Sequence, residues 1–140
     1  MDNETRREII MDNYQYPYNK EVPSNLDEYI KVNSNNESCI DNIDMYIKLQ
    51  DNKIEDIKFM GEACAISTSA TSVMIKLLIG KTKEEVMDLY KKYELMIETG
   101  EISSDLEEAI AYGEIYKQAN RKHCAMLPWI GILKVFDKQK

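Results

Sequence analysis

The chain has 140 residues and a mass of 16.3 kDa, the size of one domain with one hydrophobic core. Hydrophobic residues make up 44% of it and charged residues 31%, a balance that is typical of globular proteins and argues against wholesale disorder. The formal net charge of −7 disfavours nucleic acid and anionic lipid as partners. Polar residues interrupt every apolar run, and the N-terminus lacks the pattern of a signal peptide, so we expect a cytoplasmic protein without a membrane span.

Weak helical patterns occupy the first part of the chain. Residues 5–13 predict a short helix, which ends before the loop that begins at Pro17. Ser24 is placed to cap a helical turn over residues 26–30. The polar run at 33–37 is typical of a loop.

A β-hairpin is indicated in the next segment. Hydrophobic residues alternate with polar ones over 43–49, which is the period of a half-buried strand. Asp51 and Asn52 predict a tight turn, and residues 54–60 return as a second strand with Ile57 and Phe59 on one face.

Helical periodicity begins after the hairpin. Residues 66–79 predict a helix closed by Gly80, and residues 82–85 form a capping box that opens a second helix ending before Gly100. Hydroxyl side chains cluster over 67–72 with no general base nearby in the sequence. We therefore expect them to permit close packing and to bond the backbone of their own helix.

Two further helices are predicted towards the C-terminus. Residues 104–107 resemble another capping box, which would open a helix near 106–112. The last segment, 124–136, is apolar at helical spacing, and Pro128 is expected in its first turn, where its missing N–H costs least. A small antiparallel sheet followed by a run of helices indicates an α+β fold.

The chain contains three cysteines and one histidine. Cys39 lies in the loop before the hairpin with Asp41 two residues later, Cys64 lies between the second strand and its helix, and Cys124 begins the last helix. Because all three lie at ends of elements, their side chains can converge on one rim of the sheet. Three thiolates and a carboxylate suit four-coordinate zinc, with His123 as an alternative donor. Spacing alone leaves open that the cysteines are small buried hydrophobic residues.

Five short segments carry motifs in a fixed order along nearly the whole chain. Residues 61–72 read GEACAISTSATS and are followed by GKT at 80–82. Residues 39–41 read CID, residues 123–125 read HCA, and the opening segment 7–14 reads REIIMDNY. Together these segments resemble the IscU/SufU/NifU-type iron–sulfur cluster assembly proteins.

Within that family the chain resembles the SufU branch. The stretch 93–116 resembles an insertion characteristic of that branch, and Arg121, three residues before the last cysteine, also resembles SufU. His123, directly before that cysteine, follows the IscU pattern instead. Ile40 and Ala63 stand where the family has glycine. Because a β-branched Ile40 disfavours positive φ, either the loop around Cys39 differs in shape from that of the family or the glycine is not strictly required there.

The resemblance implies a single domain over residues 1–140, with an antiparallel sheet of about three strands packed against five to six helices. It also implies a zinc site held by Cys39, Asp41, Cys64 and Cys124. Cys39 is the expected acceptor of persulfide sulfur from a cysteine desulfurase of the SufS type, with Cys124 as the alternative acceptor. The family resemblance further implies later iron–sulfur assembly proteins as partners, and a monomer or weak homodimer.

The resemblance thus implies a zinc-dependent sulfurtransferase, and two other functions remain open at this point. One is a scaffold on which iron and sulfide are assembled into a [2Fe–2S] cluster, with Cys39, Cys64 and Cys124 as iron ligands. The other is a degenerate relative that only binds the desulfurase. Arg121 and His123 are candidate partner contacts in each case, and His123 is also an alternative ligand.

Overall fold

A computed structural model describes residues 1–36 and 40–138 of the chain. Within these ranges the fold contains a three-stranded antiparallel sheet in the order β1–β2–β3. The strands are β1 (Ile30–Asn35), β2 (Asn42–Gln50) and β3 (Lys53–Glu62). The α-helices are α1 (Asn3–Gln15), α2 (Ala65–Leu78), α3 (Lys83–Thr99) and α4 (Lys122–Lys138). Short 3₁₀ helices span Leu26–Glu28, Ser104–Tyr112, Ile115–Lys117 and Ala119–Arg121. The predicted α+β fold is confirmed.

The hairpin of β2 and β3 follows the sequence pattern closely. Asp51 and Asn52 both take positive φ angles, 53° and 64°, which suit the twist of a two-residue turn. Met45 lies opposite Phe59, and both side chains are buried against the helices. No helix in the described part of the chain is both long and apolar enough to cross a membrane.

The predicted loop at 33–37 is wrong for its described part, because residues as far as Asn35 belong to β1. Val32 and Ser34 point into the core, whereas the Asn33 side chain donates to Asn42 and Asp44 on the exposed face. Polar residues therefore satisfy each other across an edge strand instead of forming a turn. The helical turn after Ser24 is correspondingly shorter than predicted and spans Leu26–Glu28.

Hydrogen bonds between buried side chains attach α1 to α2. The hydroxyl of Ser72 donates to the Asn13 carboxamide over 2.7 Å, and it accepts the N–H of Tyr18 over 2.8 Å. The following residue, Asn19, accepts the N–H of Phe59 and so covers the outer edge of β3. The N-terminal segment thus closes one side of the sheet.

Both ends of the central helix pair match the sequence pattern. Gly80 takes a φ of +89° after α2, as expected for a helix terminus. Thr82 and Glu85 form the predicted capping box, and Gly100 ends α3 in the left-handed conformation. α2 is buried on nearly all sides between α1, α4 and the sheet.

The predicted capping box at 104–107 is wrong. Ser103, not Ser104, accepts the N–H of Asp105, and Ser104–Tyr112 is a 3₁₀ helix. Glu107 takes φ 51° and ψ −125°, so the helical path is interrupted where the box would need a regular first turn.

Pro128 lies inside α4 rather than in its first turn, because the helix begins at Lys122 instead of Cys124. A proline has no N–H, so the carbonyl of Cys124, four residues earlier, loses its helical donor. Side chains of neighbouring elements supply donors to this region of α4: Ser34 donates to the Leu127 carbonyl and Tyr93 donates to the Ala125 carbonyl.

Replacing Gly61 by alanine is expected to destabilise the fold by about 4 kcal/mol, since strain and a steric clash add. Gly61 has a φ of +138°, and a Cβ there would lie 2.1 Å from the backbone oxygen of Asn42 on β2. Gly80 is the matched control, because its φ is also positive but a Cβ would meet nothing within 4 Å. Gly80→Ala should therefore cost only about 1.5 kcal/mol. Chemical denaturation of the two variants measures both values, and equal losses would contradict the clash.

Candidate metal centre

Three elements bring Asp41, Cys64 and Cys124 together. Asn42 at the start of β2 pairs with Glu62 at the end of β3, so Asp41, one residue before this pair, and Cys64, two residues after it, become neighbours. α4 packs against α2 and β1 and adds Cys124 near its own start. One ligand atom from each of the three residues lies within 4.8 Å of the others.

The Asp41 carboxylate is held by the start of α2. Asp41 is only 1% exposed, and its Oδ1 accepts the backbone N–H of Cys64 over 2.7 Å. Its Oδ2 accepts the hydroxyl of Ser67 over 2.8 Å and lies 3.8 Å from the sulfur of Cys64. A negative group at this end of a helix interacts favourably with the helix dipole.

Cys64 is the N-cap residue of α2. Its backbone is extended, and its sulfur accepts the N–H of Ser67 over 3.5 Å. The side chain is half-buried, so it has contact with both the interior of the site and the solvent. Its capping role fixes the sulfur at the junction of β3 and α2.

Cys124 is the most enclosed thiol of the described residues. Burial, together with the neighbouring Cys64 and Asp41, raises its pKa to about 12. At neutral pH the thiol is therefore protonated while the site contains no cation. A cation bound between the two sulfurs and the buried carboxylate would offset the cost of burying these negative groups and their repulsion of one another. The three donors therefore fit a metal ion. Two thiols and a carboxylate are within the usual ligand set of zinc.

Comparison of the whole chain with known proteins identifies its family. The chain matches the NifU-like N-terminal domain over residues 5–134. It belongs to the NifU-like N-terminal domain family. Its fold and its motifs therefore agree with the resemblance inferred from the sequence.

Members and relatives of this NifU-like family match nearly the whole chain. The zinc-dependent sulfurtransferase SufU of Bacillus subtilis (strain 168) is 35% identical over 136 residues, which cover 96% of this chain and 90% of SufU. The iron–sulfur cluster assembly scaffold protein IscU of Streptococcus pyogenes serotype M1 is 33% identical over 123 residues, 86% of this chain and 76% of IscU. A crystal structure from Fervidobacterium islandicum AW-1, assigned as an iron–sulfur cluster assembly scaffold protein for the SUF system, has a TM-score of 0.83 at 30% identity and covers 96% of this chain and 98% of its own.

Cys39, the fourth of the predicted zinc ligands, lies outside the described residues. It precedes Asp41 by two residues in the sequence. The backbone N–H of Asn36 donates to the carbonyl of Asp41 over 3.0 Å and holds the two described ends of this segment together. Ile40, which replaces a family glycine, is 69% exposed. The ligand and acceptor roles of Cys39 stay predictions.

Arg121 and His123 are both exposed. Over the described residues, the cluster of metal-binding groups consists of Asp41, Cys64 and Cys124, and His123 lies outside it. Arg121 lines a cavity of about 340 Å³ together with Arg6 and the first turn of α2. These positions leave both residues available to a partner, and their predicted roles stay predictions.

Ala63 replaces a family glycine without backbone strain. In the part of the chain that the structure describes, the non-glycine residues with positive φ are Asn19, Asp51, Asn52 and Glu107. Ala63 therefore has a conformation that any residue adopts, and the glycine of the family motif is not required here for its φ angle.

Ser67 is a site residue that the sequence analysis missed. The hydroxyl side chains of residues 67–72 were predicted to bond the backbone of their own helix. This is confirmed for Thr68, Ser69 and Thr71, which donate to backbone carbonyls of the same segment. It is wrong for Ser67, whose hydroxyl reaches Asp41 and the Cys124 carbonyl, and for Ser72, which bonds α1. The available signal was its position three residues after the N-cap, where a side chain turns back towards the helix start.

Proposed function

We propose that this chain is an iron–sulfur cluster assembly protein that works as a zinc-dependent sulfurtransferase and accepts persulfide sulfur from a cysteine desulfurase. The observation that carries this proposal is the cluster of the buried Asp41 and Cys124 with the half-buried Cys64, whose ligand atoms lie within 4.8 Å of one another. It occurs in a chain 35% identical to the zinc-dependent sulfurtransferase SufU over 96% of its length. We place the activity in the cytoplasm, where free thiols such as Cys64 and Cys124 stay reduced.

Cys39, Asp41, Cys64 and Cys124 are the residues that would hold the zinc ion. Three sulfurs and one oxygen form a four-coordinate set, and bound zinc keeps the thiols deprotonated. Asp41 is the hard-oxygen member of the set, and its Oδ1 is already engaged by the N–H of Cys64. The carboxylate is therefore oriented by the protein before any ion binds.

Cys39 is the proposed acceptor of the sulfur. Its thiolate attacks the outer sulfur of the desulfurase persulfide, so that one S–S bond forms on Cys39 while the S–S bond of the donor breaks. The donor cysteine leaves as a thiolate, and the exchange needs neither oxidant nor reductant. The burial of Cys124 and the capping role of Cys64 support this choice, because both are held within packed elements. The product is sulfur that later iron–sulfur assembly proteins consume.

A scaffold function is the second candidate. It is favoured by the similarity to the scaffold protein IscU of Streptococcus pyogenes, 33% identical over 86% of this chain. Cys39, Cys64 and Cys124 would then be ligands of a [2Fe–2S] cluster, since thiolates are the usual ligands of such clusters.

The metal content of the protein distinguishes the two candidates. We expect protein purified without oxygen to contain about one zinc per chain, as the four-donor set requires. Elemental analysis with a sulfide assay measures this directly. Iron and sulfide in equal amounts, with little zinc, would contradict the sulfurtransferase and support the scaffold.

A further inference from the structure

Ser67 contacts all three described residues of the candidate metal centre. Its hydroxyl oxygen lies 2.8 Å from Oδ2 of Asp41, 3.0 Å from the carbonyl of Cys124 and 3.6 Å from the sulfur of Cys64. Its backbone N–H donates to the same sulfur. Ser67 has no exposed surface, with a relative exposure of 0%. It therefore sits behind the metal-binding groups, on the protein side.

The carbonyl of Cys124 needs a donor from outside its helix. Pro128 lies four residues further along α4 and has no N–H to offer. A buried carbonyl without a donor is costly, and the hydroxyl of Ser67 lies within hydrogen-bond distance of it. The hydroxyl of Ser67 on α2 thus replaces the hydrogen-bond donor that Pro128 of α4 lacks.

The Ser67 hydroxyl has one proton for two acceptors. The bond to Oδ2 of Asp41 is the shorter of the two, 2.8 Å against 3.0 Å, and the Cys124 carbonyl shares the same proton. Together with the Cys64 N–H on Oδ1, this bond fixes both oxygens of the carboxylate. The arrangement connects the loop before β2, the start of α2 and the start of α4 through one side chain.

We propose that Ser67 is a positioning residue that holds the Asp41 carboxylate against the two thiols and connects it to α4. The proposal rests on the proposed zinc site for its effect on metal binding. Hydrogen-bonded groups behind metal ligands commonly change metal affinity by about 10- to 100-fold when they are removed. The effect of Ser67 should therefore be of this size and should depend on Asp41.

Zinc affinity of single and double variants tests the proposal, measured by competition with a chromogenic chelator. Ser67→Ala is expected to weaken zinc binding by about 10- to 100-fold. In an Asp41→Ala background the same change should add no more than about twofold, because the carboxylate that Ser67 positions is gone.

Ser69→Ala is the matched control. Ser69 is on the same helix and is equally buried, but its hydroxyl accepts from Tyr112 and donates to the Ile66 carbonyl. This variant loses a comparable hydrogen bond away from the site, so its zinc affinity should stay within about twofold of the original protein. Both serine variants should fold, since alanine is smaller and favours helix. Circular dichroism checks this.

A second measurement needs no metal. In zinc-free protein, hydrogen exchange of the Cys64 amide reports the position of Asp41, because that amide donates to Oδ1. Ser67→Ala should accelerate this exchange about 10-fold or more, by analogy with the effect on affinity, and Ser69→Ala should not.

Each outcome decides one proposal. Unchanged Cys64 exchange in Ser67→Ala, or a loss of zinc affinity that is the same with and without Asp41, would overturn the positioning role. If the original protein binds no zinc, the proposed zinc function fails, while the exchange measurement still decides the role of Ser67. Equal effects of Ser67→Ala and Ser69→Ala would reduce Ser67 to a packing residue.

Discussion

Replacement of Cys39 by alanine is expected to remove almost all stimulation of a cysteine desulfurase by this protein. Cys124 is a poor substitute acceptor, because its side chain is only 4% exposed and a partner cannot reach it directly. Cys64 caps α2 and is fixed at the junction with β3. Persulfide exchange needs a thiolate that can reach the donor persulfide, and both residues are held within packed elements. Desulfurase turnover, together with mass spectrometry for an added sulfur on each cysteine, measures the effect.

Cys64→Ala is the control for this experiment. It removes a proposed metal ligand but leaves Cys39, so it should act by weakening zinc binding and should regain activity as the zinc concentration is raised. Cys39→Ala should not regain activity under the same conditions. A Cys39→Ala protein that still stimulates turnover and carries the extra sulfur on Cys124 would overturn the acceptor assignment and favour the IscU-like function.

Local signals were sufficient for much of the fold. The Asp51–Asn52 turn, the Thr82 capping box and the glycine that ends α2 each depend on a few neighbouring residues, and all three were predicted. The convergence of Asp41 with Cys64 follows from the antiparallel pairing of β2 and β3, which the alternating pattern already indicated.

The errors arise where distant residues decide the structure. β1 reads as a loop because Asn33 is a turn former, yet its side chain is satisfied by Asn42 and Asp44 on the neighbouring strand. Pro128 is tolerated inside α4 because hydrogen bonds from α2 and α3 side chains satisfy carbonyls of the preceding turn. The role of Ser67 depends on Asp41 and Cys124, which are 26 and 57 residues away. No short sequence window contains this information.

Removal of zinc is expected to lower the stability of the protein strongly. The proposed ligands come from the segment before β2, the start of α2 and the start of α4, so a bound ion connects three elements that unfolding would separate. An ion that binds only the folded state stabilises it by about 4 kcal/mol at a thousandfold excess over its Kd. For a domain of this size that corresponds to a decrease of roughly 10–15 °C in Tm when the ion is removed.

Thermal unfolding of the zinc-loaded and chelated protein measures this decrease, with zinc loss confirmed by elemental analysis. The matched control is the Asp41→Ala/Cys124→Ala protein, which lacks two ligands from different elements and whose Tm should not respond to the chelator. Asp41→Ala leaves the N–H of Cys64 and the hydroxyl of Ser67 without this acceptor, so the variant starts from a lower Tm and only its response to the chelator is compared. A Tm that is unchanged after confirmed zinc loss would contradict a structural contribution from this site. The free energy of binding an ion to the folded protein adds to the folding free energy, so its loss must lower the Tm.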